Sequence, residues 1–144
     1  MQSSTAYFYK RYDAKKGRVP PEGAIPCCEP DPVTGHWPHW VKVTSSKCDR
    51  WFVDAYEWTE KNGYDLSDGT YEAIGKHFNG NPYKMGYDIL YRHGFDEVVV
   101  PRDFKSIREW LSTHNEEGLV FWLNGEPVCK IKRTDFGLKW PVEE

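Results

Sequence analysis

The pattern of apolar and polar positions near the C-terminal end of the chain predicts a β-hairpin. Two runs of β-branched and aromatic residues, 118–123 and 126–131, flank the dipeptide Asn124-Gly125. Asn-Gly is the strongest short-range hairpin signal because both residues tolerate the positive φ angles of a type I′ turn. A simple two-residue turn fixes the register, since opposed residues are found by counting outward from it. The predicted pairs are Leu123 with Glu126, Phe121 with Val128, Leu119 with Lys130, and Glu117 with Lys132.

This register gives the hairpin two different faces, because successive side chains point to opposite sides of a strand. One face mixes apolar side chains with convergent charge, as a site for a small polar ligand with an aromatic part requires. On spacing alone, an exposed cross-strand ion pair without function is the favoured interpretation of the same charges. Pro127 also indicates a bulge, which would shift the register. The mixed face contains Glu117, Leu119, Phe121, Lys130 and Lys132, and the predicted core face contains Gly118, Val120, Trp122, Pro127, Cys129 and Ile131.

The remaining chain alternates strand and helix patterns without a repeating βαβ order, which predicts an α+β fold with antiparallel sheets and flanking helices. Asp103 is predicted to cap a helix whose inward side chains are Phe104, Ile107 and Leu111. In the strand around Glu72, that carboxylate is expected to face away from its two neighbours. The predicted strands are 5–12, 70–75, 87–94 and 97–100, and the other predicted helix is 51–61.

Residues 13–40 contain six prolines and are predicted to form a long irregular loop. Cysteine and histidine are frequent here, which raises the question of zinc. Adjacent cysteines make poor chelate geometry, and a His-x-x-His spacing fits no usual structural zinc site. We therefore expect packed thiols and loop histidines instead of a metal centre. The residues concerned are Cys27, Cys28, His36, His39 and Cys48.

Length and charge narrow the class of protein. A chain of 144 residues is expected to form one domain, 1–144, with no room for a second sizeable core. The net charge of −3 argues against a protein that grips a long nucleic-acid backbone electrostatically. Without a signal-peptide pattern or an apolar run of membrane-spanning length, the four cysteines are expected to be reduced thiols of a cytoplasmic protein with no membrane contact.

Several segments resemble one family. Glu-Gly-Leu-Val-Phe at 117–121, followed by Lys130-x-Lys132, resembles nucleotidyltransferase motifs IV and V of ATP-dependent nucleic-acid ligases. The flanking residues 130–141 are similar to one branch, the RNA 5′-phosphate/3′-hydroxyl ligase family. Upstream, Arg11 within Tyr-Lys-Arg-Tyr-Asp, two Pro-rich runs of the 13–40 loop, the strand around Glu72 and the turn at 79–83 also resemble that branch. The resemblance extends from about Thr5 to Pro141.

The resemblance implies a nucleotidyltransferase (adenylation) domain whose antiparallel sheets cup a nucleotide pocket, with ATP and Mg²⁺ as cofactors. By it, Lys130 and Lys132 are catalytic and neutralise the α-phosphate, while Glu117 is a catalytic carboxylate that helps to hold Mg²⁺. It also implies that Arg11 contacts the nucleotide or its phosphates and that Glu72 contacts its sugar. For Tyr87, stacking on the purine and packing in the core are equally favoured.

The family's motif I, Lys-x-Asp-Gly, supplies the nucleophilic lysine and is expected just before Thr5, where this sequence has only Met1-Gln2-Ser3-Ser4. The resemblance therefore implies an N-terminally truncated adenylyltransferase domain of an RNA ligase, acting in RNA repair on 5′-phosphate and 3′-hydroxyl ends. This chain alone is expected to be inactive in self-adenylylation, and a second chain could supply the lysine. Two alternatives stay open: a non-catalytic nucleotide- or RNA-end-binding protein that retains the pocket, and an interaction protein whose motifs are structural inheritance.

Overall fold

A computed structural model describes residues 7–143, and within them every strand pairing is antiparallel. The α+β class with antiparallel sheets and helices is therefore confirmed, whereas the nucleotidyltransferase fold stays a prediction. The chain divides into two units, one ending at Asp54 and the other beginning at Ala55, and the single domain over 1–144 also stays a prediction. The elements are β1 Tyr9–Asp13, β2 Ile25–Pro26, β3 Pro38–Lys42, α1 Arg50–Lys61, β4 Tyr71–Gly75, β5 Asp88–Arg92, α2 Phe104–Thr113, β6 Gly118–Leu123 and β7 Glu126–Lys132.

The first unit is built on a three-stranded sheet in the order β1-β3-β2. The prediction that 13–40 is wholly irregular was wrong, because β2 and the start of β3 lie inside it. Pro38 is tolerated as the first residue of β3, where a missing N–H does not interrupt the ladder. Strand β1 begins at Tyr9, and the predicted start at Thr5 lies outside the described residues.

A partly buried ion pair stabilises the first unit. The Asp49 carboxylate accepts a hydrogen bond from the Lys10 ammonium, and it also accepts the backbone N–H and the hydroxyl of Thr44 at 2.9 and 3.1 Å. Burial acts to raise the pKa of Asp49, but the hydrogen bonds from Lys10 and Thr44 outweigh it, so the pKa is lowered. The carboxylate stays ionised and ties β1 to the turn before α1.

The second unit contains two hairpins and helix α2. Strands β4 and β5 pair along their whole length, with Gly75 and Asp88 as the last opposed pair, and the Thr59 hydroxyl of α1 accepts the Leu90 backbone N–H at 3.0 Å. At Gly75 the backbone has a φ of 135°, and a Cβ there would lie 2.1 Å from the Tyr87 carbonyl oxygen. Only glycine fits this position.

The main core of the second unit lies between α2 and the β6–β7 hairpin. Its buried residues are Val100, Ile107, Leu111 and Leu119, with Phe121, Ile131 and other apolar side chains packed around them. The predicted cap holds, since the Asp103 carboxylate accepts the Ser106 N–H at 2.9 Å. Ile107 and Leu111 face inward as predicted.

Two predictions about this core were wrong. Phe104 is 71% exposed, and its ring contacts Phe136 with centroids 4.8 Å apart instead of joining the buried residues of the core. Residues 97–100 do not form a strand, since no described segment pairs with them, and only Val100 is buried. The helix was correctly placed, but the burial of its first turn was not.

The hairpin turn is as predicted, with positive φ at both Asn124 and Gly125, but the register is not. A bulge leaves Val128 without an opposed residue: Trp122 pairs with Pro127, and the next pair is Phe121 with Cys129. From there to the open end every pair is shifted by one residue, because Pro127 has no N–H to continue a regular ladder. The observed pairs are Val120 with Lys130, Leu119 with Ile131, and Gly118 with Lys132.

The shift changes which side of the hairpin the β6 residues share with β7. Leu119, Phe121 and Ile131 pack into the core, whereas Val120 is 45% exposed beside Lys130. Ile131 packs into the core as predicted, but the predicted core face was wrong for Val120 and Trp122, which are 45% and 41% exposed. The placement of Leu119 and Phe121 on the face of the lysines was also wrong. The full predicted core face was Gly118, Val120, Trp122, Pro127, Cys129 and Ile131.

The cysteines are free, and all four lie on the surface, which corrects the prediction of packed thiols. His39 is buried and contacts the Trp37 carbonyl oxygen at 2.8 Å through Nδ1. Across residues 7–143, no group of three or more His, Cys, Asp or Glu side chains could hold a metal ion. The same residues contain no helix of sufficient length and apolar character to cross a membrane.

Candidate functional site

A cavity of about 350 Å³ in the second unit brings together two of the predicted site residues. Glu72 reaches it from β4, and Glu117 reaches it from the bend that leads into β6. Aromatic and apolar side chains form the remaining wall, among them Phe78, Tyr83 and Trp140. Carboxylates beside aromatic rings in a space of this size suit an aromatic ligand that also carries hydroxyl groups.

Glu117 connects the cavity to the cationic strand. Its Oε1 lies 3.6 Å from the Nζ of Lys130, and both side chains are partly exposed, at 39% and 48%. The sequence predicted Lys132 opposite Glu117, whereas Lys132 pairs with Gly118. Lys130 and Lys132 nevertheless lie on one face of β7, two residues apart, so both ammonium groups belong to the same surface of the hairpin.

Gly118 makes this arrangement possible. A Cβ at this position would lie 2.4 Å from the Ile131 carbonyl oxygen and 3.0 Å from the Lys132 Cα. The two strands can approach this closely only because residue 118 has no side chain. The close approach fixes where β7 presents its lysines relative to Glu117.

Tyr83 and Glu116 form a hydrogen-bonded pair next to Glu117. The Tyr83 hydroxyl donates to Glu116 Oε2 at 3.3 Å, and its ring meets Trp140 edge-on at 5.4 Å between centroids. Desolvation and the charge of Glu116 raise the pKa of the Tyr83 phenol, so the hydroxyl keeps its proton. Desolvation also raises the pKa of Glu116, against the effect of the Tyr83 hydrogen bond. The sequence analysis did not name Tyr83 and Trp140 as site residues, although the turn at 79–83 was among the segments that resemble the ligase family.

Tyr87 does not line this cavity. Its ring stacks on Trp58 with centroids 4.2 Å apart and planes 11° apart, and it remains 44% exposed. One of its faces is therefore covered by a protein ring. Its predicted role in purine stacking stays a prediction.

Arg11 lies in the first unit, on β1 opposite Trp40, and its side chain is exposed. The Arg11 guanidinium is thus exposed, and guanidinium groups readily bind phosphate. Its contact with nucleotide stays a prediction.

Arg133 has a structural role, although in sequence it belongs to a basic run with Lys130 and Lys132. It is 6% exposed, and its guanidinium donates to the carbonyl oxygens of Leu111, of His114 at 3.0 Å, and of Lys139 at 2.9 Å. These bonds satisfy the last carbonyls of α2 and fix the segment that follows β7. Only the folded position of the α2 C-terminus reveals this role.

Comparison with known proteins decides the family. A family model described as RNA ligase 1 matches residues 53–144, which is more than half of the chain. The chain belongs to the RNA ligase 1 family. Two curated relatives agree: RNA ligase 1 of Danio rerio is 36% identical over 90 residues, and RNA ligase 1 of Pongo abelii is 29% identical over 93 residues. Each alignment covers 56% of this chain and 28% of the relative.

The RNA ligase 1 match covers Glu72, Tyr87, Glu117, Lys130 and Lys132, and therefore the whole cavity. The resemblance of the ligase motifs in 117–132 is thus confirmed at the level of the family. The match begins after Arg11 and the 13–40 segment, whose resemblance to the ligases stays a prediction. The chain spans less than a third of the length of these curated relatives.

Proposed function

We propose that this chain is part of the adenylyltransferase module of an ATP-dependent RNA ligase, and that its cavity holds the nucleoside of ATP. The supporting observation is the meeting of Glu72 and Glu117 in one cavity, with the Lys130 ammonium 3.6 Å from Glu117. Family membership of the same stretch gives the chemistry that such a site would serve.

In the proposed reaction, a lysine amine attacks the α-phosphorus of ATP, so that an N–P bond forms and pyrophosphate leaves. The AMP group then passes to the 5′-phosphate of an RNA end, and the lysine is released. Finally the 3′-hydroxyl oxygen of a second end attacks that phosphate, AMP leaves, and a phosphodiester bond remains. Phosphoryl transfer asks the protein mainly for positioning and for stabilisation of negative charge.

The residues of this chain have distinct parts in the proposal. Lys130 and Lys132 neutralise the α-phosphate, and their charge also lowers the pKa of a nearby lysine nucleophile. Glu72 accepts a hydrogen bond from a ribose hydroxyl. The predicted contacts of Arg11 with phosphate and of Tyr87 with the base stay predictions, since Arg11 belongs to the first unit and Tyr87 does not line the cavity. The 144 residues contain no lysine before Lys10, so the nucleophile is assigned to a segment outside them, on this polypeptide or a partner.

Mg²⁺ fits the donor set of this site. The described residues contain no three-residue metal cluster, but Mg²⁺ is usually held by one or two carboxylates together with water and substrate phosphates. Glu117, at the junction of the cavity and the lysine-bearing strand, is the residue that would hold it. When bound, the ion would neutralise charge on the phosphate oxygens.

Calorimetric titration of the 144-residue chain with ATP and Mg²⁺ tests the proposal. We expect measurable binding, reduced about tenfold or more in Lys130→Ala and in Lys132→Ala, because a lost interaction with a charged group costs about 1.5–3 kcal/mol. Lys105→Ala on the exposed surface of α2 is the matched control and should bind as the unaltered chain does. Equal affinity in all four proteins would contradict a nucleotide site on this strand.

Addition of a Lys-x-Asp-Gly segment before Thr5 provides a second test. If the pocket is competent, labelled ATP should then give a covalent adduct, whereas the same segment with arginine should not, because guanidinium keeps its proton. ATP binding without an adduct would favour a nucleotide-binding protein that retains the pocket.

A further inference from the structure

A second concave surface lies next to the proposed nucleotide cavity. It is an open groove of about 800 Å³, with Lys84 and Lys139 as its cations and Thr134 as a hydroxyl donor. Trp140 and Pro141 line both this groove and the cavity. The groove and the cavity therefore adjoin at Trp140 and Pro141.

Both cationic sides of the groove are held in place by polar contacts. On one side, the Asn81 side chain accepts the Met85 N–H at 2.8 Å and donates to the Met85 carbonyl at 2.9 Å, which clamps the turn around Lys84. Lys84 itself has a φ of 53°, a conformation that a lysine rarely adopts without such support. On the other side, the Arg133 guanidinium binds the Lys139 carbonyl oxygen at 2.9 Å.

The charges of the groove suit a flexible anion. The Lys139 ammonium lies 2.9 Å from Glu143 Oε2, and both side chains are more than 70% exposed. An exposed pair of this kind contributes little and is readily exchanged for another anion. Single-stranded nucleic acid is recognised by cations along its backbone together with an aromatic ring on which a base stacks, and Trp140 supplies that ring.

We propose that this groove binds the phosphates of a single-stranded RNA end and brings that end to the nucleotide held on the other side of Trp140. The proposal rests on the proposed nucleotide function of the cavity for its direction of transfer, but not for RNA binding itself. Two lysines suffice for a short end, in agreement with a net charge of −3 that disfavours binding to a long backbone.

The test is fluorescence anisotropy of a labelled, 5′-phosphorylated single-stranded RNA octamer with the 144-residue chain, across a series of salt concentrations. We expect Lys84→Gln/Lys139→Gln to weaken RNA binding about tenfold at low salt. The slope of log affinity against log salt should fall in magnitude by about 1.4, since each lost phosphate contact on a single strand contributes about 0.7. The matched control is Lys61→Gln/Lys105→Gln, which removes the same charge from exposed positions outside the groove.

Titration with ATP separates this proposal from the function of the cavity. The Lys84/Lys139 variant should bind ATP as the unaltered chain does, and its circular dichroism should match. If RNA binding falls in this variant alone, the groove is established even where ATP binding is absent. If both double variants bind RNA with the same affinity and salt slope, or if the unaltered chain binds no RNA, the groove proposal is overturned whatever the ATP result.

Discussion

Replacement of Gly118 by alanine should open the β6–β7 hairpin where it carries the lysines. The added Cβ would lie 2.4 Å from the Ile131 carbonyl oxygen. Because close C···O contacts in sheets are about 3.3 Å, the strands would have to separate by roughly 0.9 Å. Overpacking of this kind costs about 1–3 kcal/mol, and a weakened ladder hydrogen bond adds about 1 kcal/mol. We expect Gly118→Ala to lower the free energy of unfolding by about 3 kcal/mol.

Urea unfolding followed by tryptophan fluorescence measures this change, with an unaltered m-value as the sign that the unfolded state is the same. Gly86→Ala is the matched control: its Cβ would meet nothing within 4 Å, and its φ is outside the left-handed region. That variant should be neutral or slightly more stable, because alanine restricts the unfolded chain. ATP affinity should fall in Gly118→Ala and not in Gly86→Ala. Coincident unfolding curves for Gly118→Ala and the unaltered chain would refute the close approach of the two strands.

Three further predictions concern other parts of the structure. Arg133→Lys should lower the free energy of unfolding by about 3 kcal/mol or more in chemical denaturation, since one ammonium cannot serve three carbonyl oxygens; a loss below about 1 kcal/mol would contradict the structural role. Trp140→Leu should weaken ATP binding about tenfold in calorimetry, and Tyr87→Leu should weaken it less, because of these two rings Trp140 lines the cavity and Tyr87 does not. A larger loss of affinity in Tyr87→Leu would favour Tyr87 as the base-stacking residue. Asp49→Asn should destabilise the protein at neutral pH, because a carboxyl whose pKa is lowered by folding contributes stability above its unfolded pKa. That stability is lost as pH falls through the lowered folded pKa, so the difference from the unaltered chain should shrink in acid; a difference that persists in acid would refute the linkage.

Sequence reasoning succeeded where a short segment determines its own geometry. The Asn124-Gly125 turn, the Asp103 cap and the inward positions Ile107 and Leu111 follow from local rules of backbone conformation and helical spacing. It failed where a distant partner decides the outcome. Val98 and Val99 have strong β propensity but no described strand to pair with, so they stay exposed.

The candidate site shows the same division. Glu72 and Glu117, which the ligase resemblance assigns to one nucleotide site, both line the cavity although 45 positions separate them in the numbered sequence. The resemblance could not show that Tyr87 is covered by Trp58, or that Trp140 enters the cavity instead, because both depend on how separate segments pack. Arg133 directly follows Lys132 in a basic run, and nothing near it in sequence reveals its three carbonyl acceptors.

The bulge at Val128 divides the hairpin into two parts of opposite phase. Between the bulge and the turn, side chains of β7 keep the parity set by Asn124-Gly125, whereas beyond it each residue points to the other side. One unmatched residue therefore changes the side to which the following residues of β7 point, so that Ile131 points inward and both lysines point outward. Deletion of Val128 would restore the simple count and drive two ammonium groups toward the core that contains Leu111. The chemistry of this surface thus depends on an inserted residue that has no opposed partner.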